Sequence, residues 1–261
     1  MRQVEVQLPS HPYTATIESG LLTRAGELLC AALPDRSRYF VITVPRVKKL
    51  WAKTLTASLA KAELVHTVIE MRDGERAKTL ETVRDLAIKL VRRGADRKSA
   101  IIALGGGVVG DLAAFLASIY MRGIDVVQIP TTFLAQVDAS IGGKTGVDLP
   151  EGKNLLGTFH QPRAVLIDPG VLTTLAPREY RSGLYEALKC GIIRRPDRAA
   201  KGTYCLARHR GRKVRQLLNI MPHRKMGRPL MVFALRKHPE LKAASSAAGC
   251  SVHEHCRVVS G

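Results

Sequence analysis

The chain has 261 residues, 46% hydrophobic, with 41 Lys+Arg against 22 Asp+Glu and a formal net charge of +19. That is enough for one large or two small domains with a real core. The N-terminus Met1-Arg2-Gln3-Val4-Glu5-Val6 has no apolar signal core, and the longest helical apolar stretch, near Leu112–Met121, is too short to span a bilayer. The five cysteines, Cys30, Cys190, Cys205, Cys250 and Cys256, lack Cys-x-x-Cys spacing, which argues against a disulfide scaffold. A reduced, cytoplasmic protein without membrane partners is expected.

In chain order, strand-like runs at Tyr39–Thr43, Leu64–Glu70, Ala100–Leu104, Asp125–Ile129 and Ala164–Asp168 alternate with helical patterns near Leu21–Ala32, Val47–Ala62, Ala77–Arg93 and Asp111–Met121. Such alternation predicts an α/β fold with a largely parallel sheet. The helix near Ala77–Arg93, which follows the turn Asp73-Gly74, carries Val83, Leu86, Ala87, Leu90 and Val91 on the side expected to cover the sheet.

The strongest local signal is Ala100-Ile101-Ile102-Ala103-Leu104-Gly105-Gly106-Gly107-Val108-Val109-Gly110-Asp111. Gly105, Gly107 and Gly110 satisfy G-x-G-x-x-G, and Leu112, Phe115, Leu116 and Ile119 follow at helical spacing. Backbone without Cβ can approach a pyrophosphate closely, and the amides of a helix start can bind its charge. A tight strand-to-helix turn in which glycine only relieves strain is the competing account.

Further on, Ile129–Asp148 is polar and glycine-rich, and it is predicted to form a substrate loop rather than core. Its Gly143-Lys144-Thr145 does not complete a P-loop, because Asp138 stands where the first glycine is required.

Several motifs occur in order over about residues 1–195: Gly105-Gly106-Gly107-Val108-Val109-Gly110-Asp111, Pro130-Thr131-Thr132, Gln136-Val137-Asp138, Gly142-Gly143-Lys144-Thr145-Gly146, Gly152-Lys153-Asn154 and Gly183-Leu184-Tyr185-Glu186-Ala187-Leu188-Lys189. Together they resemble the 3-dehydroquinate synthase family, whose framework is shared by related sugar-phosphate cyclases. The resemblance implies a Rossmann-like NAD-binding domain over 1–180 and the start of an all-α metal and substrate domain over 181–195. The activity it implies is conversion of 3-deoxy-arabino-heptulosonate 7-phosphate to 3-dehydroquinate and phosphate, with NAD and a divalent metal, zinc or cobalt. Transient oxidation of a ring hydroxyl acidifies the neighbouring C–H, phosphate is eliminated, and the hydride is returned before ring opening and aldol closure.

By the same resemblance, Asp73, Gly74, Glu75, Lys78, Gly107, Val108, Val109, Gly110, Asp111, Thr131, Thr132, Lys144, Lys153, Val171, Leu172, Thr173 and Thr174 are expected to contact NAD. Asp138, Lys144, Asn154, Lys189 and Arg122 are expected to contact the sugar phosphate, Arg122 reaching the phosphate of a neighbouring subunit in a homodimer. Glu186 is expected to bind metal. One departure is Thr43-Val44-Pro45-Arg46, where Val44 cannot accept a hydrogen bond from an adenosine ribose.

Residues 199–261 hold 13 Lys+Arg against 2 Asp+Glu, whereas residues 1–198 hold 28 against 20. From 196 on, no periodic apolar face continues and the family's helical domain is not legible. The favoured expectation is a reading frame disrupted near Arg194–Pro196, ahead of a basic arm binding nucleic acid, which clustered cations would also permit. None of His209, His223, His238, His253 and His255 aligns with a family metal ligand, and a catalytic zinc needs about three protein ligands. An incomplete cyclase is therefore the first expectation, and a non-catalytic nucleotide-binding remnant the alternative.

Overall fold

The apolar runs become parallel strands of one sheet. The computed structural model describes residues 1–8 and 12–194; the 196–261 tail and its five histidines lie outside them. The chain forms two units, Met1–Ala176 and a second beginning at Pro177.

The first unit runs β1 (Arg2–Val6), β2 (Tyr13–Ile17), α1 (Ala25–Ala32), β3 (Tyr39–Thr43), α2 (Pro45–Val47), a π-helical turn (Lys48–Ala52), α3 (Lys53–Lys61) and β4 (His66–Glu70). It continues through α4 (Leu80–Arg92), β5 (Ala100–Gly105), α5 (Gly107–Ile119), β6 (Asp125–Pro130), the hairpin β7 (Lys144–Leu149) and β8 (Gly152–Phe159), and β9 (Ala164–Ile167). In the second unit, α6 covers Pro177–Arg194.

Seven strands lie in the order β1-β2-β9-β6-β5-β3-β4. All neighbours are parallel except β1 on β2. β3, β5 and β9 are buried along their whole length, as expected for strands covered on both faces. Alternate residues of β3 serve the two faces. Phe40 and Ile42 join Ile101, Ala103, Leu86, Leu90, Leu112 and Leu116 in the core beneath α4 and α5. Tyr39 turns the other way, its hydroxyl donating to the Leu33 carbonyl at 2.9 Å.

Beyond β3 the chain moves outward to β4, whereas beyond β5 it moves to β6 on the opposite side. This reversal puts a crevice over the carboxyl ends of β3 and β5, where ligands bind in open α/β sheets. The glycine loop follows β5.

Several expectations need correction. The antiparallel edge strand β1 and the β7–β8 hairpin were not legible, and α5 begins at Gly107 rather than Asp111. Residues 129–148 are not simply a polar loop: Phe133 and Gln136 are 0% exposed, and Val147 joins the main core. Val91 is 63% exposed, so the buried stripe of α4 is Val83, Leu86 and Leu90, with Ala87 at its margin. Among the described residues no helix is long and apolar enough to cross a membrane.

Candidate functional site

The glycines of the β5–α5 turn divide by cause. A Cβ on Gly105 would lie 2.6 Å from Val109 Cβ, one on Gly106 2.9 Å from the Thr132 methyl, and one on Gly110 2.9 Å from Gln128 Oε1. These three glycines are required by the chain's own packing. Gly107 is not: a Cβ there would meet only Ala139 Cβ at an ordinary 3.5 Å. No side chain caps α5, whose N-cap is Gly106. The first amides of the helix, at Gly107, Val108 and Val109, are thus left for an external acceptor. Val108 and Val109 put their side chains toward the core and can offer only backbone.

Lys78 connects the next elements. It follows the turn in which the Gly74 N–H (φ +90°) donates to Asp73 Oδ1 at 2.8 Å, and a 3-10 turn at Glu75–Ala77. Although only 4% exposed, Lys78 sends its Nζ to Asp111 Oδ2 on α5 at 2.5 Å and to Asn154 Oδ1 on β8. Burial pushes the Asp111 carboxyl above its ordinary value against the pull of Lys78, and the charges of Glu75 and Asp148 push the same way as burial. At the exposed rim Lys153 pairs with Glu75 at 3.0 Å, and that bond raises the Lys153 pKa.

The remaining wall comes from the segment after β6. The Thr131 N–H donates to the Gly105 carbonyl at 2.8 Å, and Thr132 Oγ1 accepts from Ala135 N–H at 3.2 Å. Gln136, in the π-helical turn Ala135–Ala139, donates from Nε2 to the Pro130 carbonyl at 3.2 Å and the Asp168 carbonyl at 2.9 Å, joining the ends of β6 and β9. Asp138, in the same turn, and Lys144, at the start of β7, are exposed. In the 3-10 turn Pro169–Thr174, Val171 and Leu172 are buried while Thr173 and Thr174 face out, their hydroxyls donating to the Gly170 and Val171 carbonyls. Val44 at the end of β3 is 4% exposed and belongs to the core.

Not every expected residue of the first unit converges on the glycine turn. Arg122 follows α5 in left-handed conformation (φ +74°). At 1.5 Å per residue it stands about 20 Å along the helix from Gly107. Glu186 and Lys189 lie on α6 and pair with each other at 2.5 Å, with Cys190 Sγ 3.9 Å from Glu186 Oε1. Among the described residues no three His, Cys, Asp or Glu side chains come together as a metal-binding group.

Sequence reasoning missed Tyr13, Gln128 and Asp148, and it named Gln136 only as part of a motif. Their roles depend on contacts between distant segments. The short strand that carries Tyr13 and the acidic residue ahead of Pro150 carry no local signal for them.

The fold and the cleft define a class: a doubly wound α/β domain with a glycine loop at its switch point and a β-hairpin packed on the glycine-loop helix. Residues 68–182 match the family described as 3-dehydroquinate synthase N-terminal. It is 57% identical over 197 residues to the 3-dehydroquinate synthase of Koribacter versatilis (strain Ellin345), covering 76% of this chain and 54% of that protein. The chain spans about half the length of the curated relatives it matches.

Among solved structures it is similar to 2-deoxy-scyllo-inosose synthase complexed with carbaglucose-6-phosphate, NAD+ and Co2+ (TM-score 0.68, 28% identity, 74% of this chain and 51% of that one). It is also similar to 2-epi-5-epi-valiolone synthase from Streptomyces hygroscopicus subsp. jinggangensis 5008 with NAD+ and Zn2+ bound (TM-score 0.67, 31% identity, 95% of this chain and 65% of that one).

Proposed function

We propose that the Met1–Ala176 unit binds NAD at its glycine loop and serves as the cofactor half of a sugar-phosphate cyclase of the 3-dehydroquinate synthase type. The observation that carries this reading is Gly107, the one glycine of the turn that internal packing does not require. A backbone kept bare there, beside an uncapped helix start, suits a pyrophosphate. The NAD+ in the two solved relatives supports the same ligand.

In this reading the amides of Gly107, Val108 and Val109 take the pyrophosphate oxygens, and Gly110 lets α5 approach β6. Asp73, Gly74, Glu75, Lys78, Asp111, Thr131, Thr132, Lys144, Lys153 and the Val171–Thr174 turn frame the dinucleotide, with Val171 and Leu172 acting through backbone. NAD, when bound, supplies a reversible hydride acceptor. Asp138, Lys144 and Asn154 of this unit bind and orient the sugar phosphate. Arg122, at the far end of α5, serves the site of a second copy, so a homodimer is part of the proposal.

The divalent metal fits less well. Catalytic zinc takes about three protein ligands, and Glu186 has no such company among the described residues, its carboxylate being paired with Lys189. A second reading is dinucleotide binding without phosphate elimination.

Calorimetry on the full chain tests the first part. NAD is expected to give saturable heat that Gly107→Ala weakens at unchanged thermal midpoint, and a folded protein without saturable heat would exclude the site. Phosphate release from the heptulosonate phosphate, with NAD and zinc supplied, separates the cyclase from the second reading.

A further inference from the structure

Asp148 lies at the irregularity in the β7–β8 pairing, between Val147 and Leu149. Its backbone N–H donates to the Lys78 carbonyl at 2.8 Å, and its carboxylate Oδ1 accepts the Asn154 N–H at 2.8 Å. Asn154 Oδ1 in turn accepts from Lys78 Nζ. These bonds close a ring through Lys78, Asp148 and Asn154, joining the turn ahead of α4 to both strands of the hairpin.

The ring accounts for a backbone oddity. Asn154 has φ +55°, a left-handed conformation that non-glycine residues adopt uncommonly, asparagine more readily than most. An acceptor placed on its N–H holds it there. Held so, its side-chain oxygen meets the buried ammonium of Lys78, which is shared with Asp111 on the glycine-loop helix.

We propose that Asp148 is a positioning residue of the nucleotide cleft: by holding Asn154 in the left-handed conformation it keeps the Lys78 ammonium divided between α5 and the hairpin. The inference rests on the dinucleotide reading above and assigns a role to a residue that reading does not use. Without the acceptor, Asn154 relaxes to ordinary backbone angles, its amide swings from Lys78, and the ammonium pairs with Asp111 alone. The ammonium then leaves its place between α5 and the hairpin, and anion affinity falls. Toward Asn154 the carboxylate serves as an acceptor, and for that an amide serves in its place.

The full chain is titrated with NAD by calorimetry as wild type, Asp148→Ala, Asp148→Asn and Asn154→Gly, with amide exchange of residue 154 followed by NMR. Loss of one hydrogen bond corresponds to up to about tenfold, so Asp148→Ala is expected to weaken NAD by about that factor and to speed Asn154 exchange. Asp148→Asn is expected to restore both. Because glycine accepts positive φ without a side chain to orient, Asn154→Gly is expected to weaken NAD similarly and to make a second Asp148→Ala change silent.

An unchanged NAD affinity in Asp148→Ala overturns the proposal while leaving the dinucleotide site intact. Equal weakening by Asp148→Asn overturns it as well, since charge would then be what matters. Absence of NAD binding in the wild type overturns the dinucleotide reading and the cleft role together. If Asp148→Ala does not fold, the Asn154→Gly titration decides: wild-type affinity there overturns the proposal.

Discussion

The Tyr13 phenol oxygen accepts the Gly142 amide proton at 2.8 Å, tying β2, which lies between β1 and β9, to the turn that precedes Lys144. Gly142 has φ +96°, so the turn is built on a residue with little conformational resistance of its own. Burial raises the Tyr13 pKa, so the phenol stays protonated around neutrality. Tyr13→Phe keeps the buried ring and removes only the acceptor. It is expected to lower stability by about 1 kcal/mol, read as a shift of the urea midpoint with unchanged slope. A loss of 3 kcal/mol or more would show that the ring itself had moved.

Asp168 is a second such tie. Its carboxylate accepts from the Gly20 and Gly170 amides at 2.9 and 2.8 Å and from the Leu22 amide at 3.2 Å, fastening the turn after β2 to the end of β9. Hydrogen bonds to a charged group contribute more than neutral ones, and Asp168→Ala is expected to cost about 3 kcal/mol. Asp168→Asn, which retains one acceptor oxygen, should cost roughly half of that. Equal losses in the two variants by denaturant titration would point to packing rather than to the carboxylate.

The glycine turn separates stability from binding. Gly105→Ala drives a methyl against Val109, and overpacking of this kind costs about 1–3 kcal/mol. Gly107→Ala meets only ordinary contacts. Its unfolding curve is expected to overlay the wild type while its NAD titration does not. If both variants lose stability equally, Gly107 is a packing residue and the main support for the dinucleotide site disappears.

Asp111 gives the first unit a distinctive response to acid. Its carboxyl is held above the ordinary 3.8 mainly by burial, so the folded chain binds that proton more tightly than the unfolded one. Its contribution to stability is therefore complete below 3.8 and is lost as pH rises through the raised folded-state value. Stability measured against pH for wild type and Asp111→Asn should give a difference that falls with rising pH across this window and is flat above it. A difference that grows with pH would mean that Lys78, not burial, governs the carboxyl.

Local chemistry alone determined the alternating architecture, because β-branched and apolar runs such as Tyr39–Thr43 and Ala100–Leu104 can be satisfied only in a covered parallel sheet. It also located the glycine turn, since the residues that shape it are adjacent in the chain. What only tertiary structure decided lies between distant segments. Gly105, Gly106 and Gly110 are explained by Val109, Thr132 and Gln128, and only that accounting leaves Gly107 without an internal reason. The polar segment after β6 reads as solvated loop, yet Gln136 is wholly buried because two backbone carbonyls from different strands meet its amide. Lys78 is one more lysine in a basic chain until folding brings Asp111 and Asn154 to its ammonium. A buried charge is stable only with such partners, and which partners arrive depends on the path of the chain rather than on the residues beside it.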